Sequence, residues 1–265
     1  MTKQILNTTL KFFLVLSACC YVACDPVDEG DRYIEIQRVA VERNVLLEEF
    51  TGQNCSNCPT AHRVIEALES QYGESLVSVS IHAGSFAYPE GSMEPFQTFK
   101  TAEGDAYANM WGIQDYPSGV VNRRSGILLN DAWALSVYNE LQRSTPLEIT
   151  LDSHLNSEND SLVIATTLAS SQALNGKLQL WVVEDSIVSL QLDGSDLLPA
   201  YVHNNVYRAS VNGVGGETVE VVPAVPATLV HSVALKSRWN AQNLRVVGFV
   251  YNASEVLQVA QANVK

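Results

Sequence analysis

The sequence predicts two folded parts of different class, an α/β domain followed by an all-β sandwich. Three observations carry that prediction. The 265 residues exceed the usual single-domain range of about 100–200. Hydrophobic residues at 46% and charged residues at 17% supply enough apolar material for two cores. The pattern also changes character near residue 145, from apolar runs alternating with helical periods to short strands separated by Asn, Gly and Asp turns.

In the first part, "NVLLEEF" (44–50) reads as a strand. Pro59 to Tyr72 reads as an amphipathic helix with Ala61, Val64, Ile65, Leu68 and Tyr72 on one side, stopped at Gly73. Val77, Val79 and Ile81 alternate with Ser78, Ser80 and His82, the period of a strand with one face buried. After a long loop, "GDAYANMWG" (104–112) predicts a short helix. "SGVVN" and "GILL" predict a hairpin around Arg123 to Ser125, and "NDAWALSVYNELQ" (130–142) predicts a last helix. Strands alternating with helices indicate α/β layers.

From Pro146 onward the period is two. Leu147, Ile149 and Leu151 alternate with polar residues, as do Leu178, Leu180 and Val182, and "SLVIATTLA", "ETVEVV", "LRVVGFVY" and "EVLQVAQA" add further strands. Strands at this spacing predict an immunoglobulin-like sandwich over 146–265. An outer-membrane barrel is the alternative, and the helical first half and the lack of paired aromatic girdles argue against it.

The first 24 residues read as an export signal, with Lys3 and Lys11 flanking the uncharged run "FFLVLSACCYVAC". That run is shorter than the roughly 20 residues a spanning helix needs. Its cysteines resemble the lipobox of bacterial lipoproteins. Cys24, followed directly by "DPVDEGDRY", is the preferred lipidation site, and Cys19 in "LSAC" is the alternative. Residues 25–32 then form a polar tether, with the folded parts at 33–145 and 146–265. An ordinary signal peptide with incidental cysteines is the other reading. Sixteen Lys and Arg against 29 Asp and Glu give a net charge of −13, the wrong sign for neutralising phosphates. No nucleic-acid partner is expected.

"EEFTGQNCSNCPTAHRVIEALE" (48–69) carries the chemistry. Thiolate is the attacking form of cysteine, and a helix N-terminus stabilises that anion through unpaired N–H groups and the macrodipole. Cys55 lies just before the predicted helix and Cys58 within its first turn, close enough to resolve a mixed disulfide formed at Cys55. Pro59 suits a first turn because its missing N–H has no helical partner there. Zinc needs about four ligands. With His62 and His82 as the nearby candidates and no second C-x-x-C, neither metal nor cofactor is expected. A structural disulfide is the other reading, since export favours oxidation, although so short a loop removes little chain entropy.

Strand, turn, C-x-x-C and helix together resemble the thioredoxin superfamily. The resemblance implies that Glu49, six positions before Cys55, carries protons beneath the pair, where burial would raise its pKa. A solvated strand residue is the plainer reading. It also implies a substrate-contacting cis-proline at Pro117, in "WGIQDYPSGVVN". Two features depart from the pattern. Asn54 stands where a tryptophan is common, and Cys58 and Pro117 are 59 positions apart, the excess lying in the loop from Ala83 to Thr101.

Signal, "LLEEFTGQNCSNCP", "WGIQDYPSGVVN" and a β-rich second half with "YVHNNVYRA" together resemble the twenty-eight-kilodalton outer-membrane lipoprotein family of Gram-negative bacteria. That resemblance implies an outer-envelope protein, periplasmic or surface-facing, with a thioredoxin-like domain and a sandwich. Two functions compete. One is a membrane-tethered thiol-disulfide oxidoreductase acting on cysteines of envelope proteins, with Cys55, Cys58, Glu49 and Pro117 as its site. The other is a non-catalytic surface lipoprotein that binds an unidentified surface protein and uses the thioredoxin-like part as scaffold. His203 and Arg208 are possible ligand contacts, with a structural role as the alternative. His154 and His231 carry no signal beyond composition.

Overall fold

The computed structural model describes residues 41–265. The signal segment at 1–24, with Cys19 and Cys24, and the tether at 25–32 lie outside the described residues. In chain order the elements are β1 (Val41–Glu42), β2 (Val45–Thr51), α1 (Cys58–Tyr72), β3 (Leu76–His82), α2 (Ala102–Trp111), β4 (Ser118–Val121), α3 (Trp133–Leu141) and β5 (Ser144–Thr145). The strand-rich remainder follows as β6 (Leu147–Leu155), β7 (Ser161–Ser170), β8 (Leu174–Glu184), β9 (Ile187–Asp193), β10 (Asp196–His203) and β11 (Val206–Ser210). It ends with β12 (Glu217–Val221), β13 (Ala227–Ala234), β14 (Leu244–Tyr251) and β15 (Val256–Asn263).

One mixed sheet runs β15-β14-β8-β11-β3-β2-β4, with β12 added to the end of β8. β2 lies parallel to β3 and antiparallel to β4. The sheet crosses the sequence boundary at 145. β11 pairs parallel to β3 through Val206 and Ser80, and antiparallel to β8. Residues 41–265 therefore do not separate at 145 in their hydrogen bonding. The change of pattern there marks where helices cease to alternate with strands.

The period-two pattern also explains one difference in β3. Its alternation predicts a single buried face, yet all seven residues are buried. Val77, Val79 and Ile81 join Leu46, Phe50, Tyr107, Trp181 and Phe249 in one core. On the opposite side Leu76 packs with Val45, Leu47, Ala61, Ile65, Leu68 and Trp133, the core under α1 and α3. Helix α1 forms where its apolar residues recur at three- and four-residue spacing, burying Ala61, Ile65 and Leu68. Ser78, Ser80 and His82 share that covered face, so they are polar residues inside.

Further along the sheet, the three-stranded sheet β13-β7-β6 closes a third core. Leu147, Ile149, Leu162, Ile164 and Leu168 face Leu178, Leu180, Val182, Leu244 and Val246 there. The two-stranded β9–β10 hairpin lies beside α1. No helix of the described residues is long and apolar enough to cross a membrane. In place of a regular hairpin around Arg123 to Ser125, Asn122 and Arg123 turn with positive φ, and a lone bridge joins Gly119 to Leu128.

Candidate functional site

Cys55 and Cys58 form a disulfide at the N-terminus of α1, which starts at Cys58 with Pro59 in its first turn. Cys55 is 2% exposed and Cys58 0%. Two segments cover them. From the loop at 83–101, the Phe86 carbonyl accepts the Asn54 N–H at 2.9 Å. Any side chain at Gly52 would lie 2.3 Å from that same carbonyl oxygen, so glycine permits the close approach. From the other half of the chain, the Leu192 N–H donates to the Gln53 carbonyl (2.8 Å) and the Gly194 N–H to the Ser56 carbonyl (2.9 Å). Gln191 Nε2 donates to the carbonyls of Cys55 (3.1 Å) and Gly52 (3.3 Å). Gln53, itself fully buried, donates in turn to the Leu190 carbonyl (3.2 Å) and the Gln97 carbonyl (3.0 Å). The β9–β10 hairpin thus seats directly on the turn that carries Cys55.

Glu49 is fully buried, which removes the solvated-strand reading. Ser80 Oγ donates to its Oε2 at 2.5 Å. His62 Nε2 stands 3.4 Å from its Oε1, an atom with no hydrogen-bond partner. Burial raises the Glu49 pKa, and His62, Ser80 and Thr51 pull against it. His62, on the first turns of α1, shares its Nε2 with Thr51 Oγ1 (3.1 Å) and its Nδ1 with the Tyr201 hydroxyl (2.8 Å). A chain of polar contacts therefore leads from Glu49 through His62 to Tyr201, whose own pKa burial pushes up to about 12.

His82 and His203 complete the cluster, with ring centroids 5.7 Å apart. His203 is buried, 3.2 Å from the Leu190 carbonyl through Nε2, and burial and His62 together take its pKa down to about 3. His82 is held well below the ordinary histidine value by burial and by His203, and neither ring nitrogen has a partner. Both rings are thus neutral beside a small recess of about 20 Å³. Among the described residues no set of three or more such side chains is arranged to hold a metal ion.

The Tyr116–Pro117 peptide is cis and enters β4, the antiparallel neighbour of β2. Arg208 lies apart from the cysteines, its Nε 3.2 Å from Glu184. His154 and His231 pair with Asp152 and Glu217. Sequence reading passes over Gln53, Ser80, Gln191 and Tyr201. For Ser80 the signal was its alternation in β3. For Gln191 and Tyr201, more than a hundred positions from their partners, no local signal exists.

A model of the outer membrane protein Omp28 family matches residues 104–265. The chain belongs to the Omp28 family. Membership places this Omp28 protein at the outer membrane. The matched span includes Pro117, His203 and Arg208 and leaves out Glu49, Cys55 and Cys58. Among solved structures, HBP35 of Porphyromonas gingivalis is similar over 85% of this chain and 76% of its own, at 17% identity and a TM-score of 0.67. A protein of Agrobacterium tumefaciens matches over 84% of this chain and 95% of its own, at 15% identity and a TM-score of 0.50. Both likenesses concern the fold. A domain of the outer membrane lipoprotein Omp28 from P. gingivalis aligns over 46% of this chain and 89% of its own at 19% identity, with a TM-score of 0.34 that carries no argument about architecture. No curated protein matches the sequence.

Proposed function

We propose that this Omp28 protein is a non-catalytic binding module of the outer envelope, lipidated at Cys24 or Cys19. In this reading a thioredoxin-like region at 33–145 is a scaffold, and the strand-rich part at 146–265, taken as an immunoglobulin-like sandwich, continues its sheet. The observation that carries the reading is the burial of Cys55 at 2% exposure beneath the β9–β10 hairpin. Exchange requires a thiolate with access to a second disulfide, and the sulfur an oxidoreductase would present lies under hydrogen-bonded backbone. The Cys55–Cys58 bridge then acts as a local staple that fixes the turn on which the hairpin rests. The family match, to an outer membrane protein, supports the same reading.

The competing reading, a tethered oxidoreductase, draws on buried Glu49 and cis-Pro117. A trap separates the two. Full-length Cys58→Ser, expressed in the envelope, is expected to capture no covalent partner beyond the level seen with the Cys55→Ser, Cys58→Ser double variant. Partners captured through Cys55 alone would overturn the module and restore the enzyme.

A further inference from the structure

A second recess lies away from the cysteines, between the loop that carries Phe99 and Lys100 and the connection from β13 to β14. It is a cleft of about 100 Å³. The chain carries a net charge of −13, yet Lys100, Arg208, Lys236 and Arg238 all converge here against Glu90 as the one lining carboxylate. Three of these cations are ion-paired, Arg208 with Glu184 among them. Lys100 is 3.4 Å from Asp105, and Arg238 pairs with Glu94.

Arg208, despite its pair, and Lys236 both retain donors. Arg208 is 8% exposed. It engages Glu184 through Nε at 3.2 Å and approaches Gln97 Oε1 at 3.5 Å through one Nη. Glu184 is itself shared, accepting the Asn240 N–H at 2.8 Å. A guanidinium presents five N–H donors, so this set leaves several unanswered among the described residues. Burial accordingly lowers the Arg208 pKa despite Glu184. Lys236 has no carboxylate within ion-pair distance among the described residues, and its ammonium lies 5.6 Å from the Trp239 ring. Arg208 in turn stands 5.7 Å from the Phe99 ring and 6.0 Å from Trp239. Cationic donors thus flank an aromatic floor, the arrangement that holds an anionic head on a small apolar body.

We infer that this cleft binds a small organic carboxylate, with Arg208 and Lys236 holding the carboxylate and Trp239 and Phe99 packing its carbon. A dry cavity of about 150 Å³ accepts benzene, so about 100 Å³ takes a carboxylate and two or three carbons, and a longer ligand extends outward. The site deepens the binding-module reading by naming a ligand class, and it rests on that reading for its role.

The test is a titration of the full chain with sodium propionate, followed at the Trp239 indole N–H resonance, which Trp239→Phe identifies. Propionamide and inorganic phosphate are the parallel arms. Saturable propionate binding is expected, weakened tenfold or more in Lys236→Met and also in Arg208→Lys, which keeps the charge and loses the planar fork. Lys236 is exposed, so its replacement leaves folding intact. Equal response to propionamide, tighter binding of phosphate, an unchanged affinity in Lys236→Met, or no saturable response would each overturn the assignment. Partners trapped through Cys55 would sink the module and leave propionate binding in place, so the two claims fail separately.

Discussion

Glu48 and Glu49 are adjacent on β2, and both side chains are fully buried, yet they face opposite sides of the sheet and meet opposite treatment. Glu48 receives Arg123 through two hydrogen bonds, Nε to Oε1 at 2.7 Å and Nη2 to Oε2 at 3.1 Å. The guanidinium is stacked 4.8 Å from Phe249 and 4.5 Å from Tyr251. Glu49 meets hydroxyls and an imidazole, and one of its oxygens has no hydrogen-bond partner. A buried charge is tolerable when paired and hydrogen-bonded and costly otherwise. The Glu48 face is a finished structural ion pair. The Glu49 face favours the neutral acid and belongs to a polar pocket sealed by α1 and the β9–β10 hairpin.

Breaking the finished face has the largest expected effect. Arg123→Met strands Glu48 without its cation and is expected to cost about 3–5 kcal/mol, read as a shift in the urea midpoint at unchanged slope. Next comes the staple beside the unfinished face. Replacing Cys55 and Cys58 together by alanine frees a loop of about four residues, for which the chain-entropy relation gives about 2 kcal/mol, again measured by urea unfolding. A loss above about 4 kcal/mol would mean that the bridge organises the hairpin as well as the turn.

The two faces should also differ in acid. His203, at about 3, and His82, well below its ordinary value, are neutral in the fold and bind protons once unfolded. Their contribution is full above the unfolded histidine pKa of about 6.5 and is lost as pH falls below it, by about 1.4 kcal/mol per pH unit for each ring. Unfolding followed between pH 7 and 4 should show this slope, and His203→Phe should reduce it. Glu49 has the opposite sign, because its raised pKa lets the fold keep a proton that the unfolded chain releases. Stability from this group is present below the ordinary glutamate value of 4.5 and declines as pH rises above it. Glu49→Gln should therefore be more stable than the parent at pH 8 and lose that advantage near pH 4, the smallest of these effects.

Much of this was legible in the sequence where periodicity is strong. The expected helix at 59–72 is Cys58–Tyr72, the run 44–50 is Val45–Thr51, and "LRVVGFVY" is β14 itself. Glu49 and Pro117 stand out from the motif alone. What stayed hidden is long-range. Pro199 and Tyr201 sit within β10, where six of eight residues are exposed and His203 alone is buried, so no period announces the strand. The contact from Gln191 to the Cys55 carbonyl spans 136 positions and leaves no local trace. The same limit applies to the sheet. Parallel pairing of Val206 with Ser80 joins regions that composition separates at 145, because register between distant strands is set by the assembled core rather than by either segment.

The most direct test of the sealed staple is the rate at which dithiothreitol cleaves Cys55–Cys58 in the oxidised full-length protein, sampled by acid quench and alkylation. Cleavage is expected to be far slower than for the same bridge in the urea-unfolded chain, and to accelerate in Gln191→Ala, which loosens the hairpin. Cleavage of the native bridge as fast as in the unfolded chain, with no response to Gln191→Ala, would contradict the account.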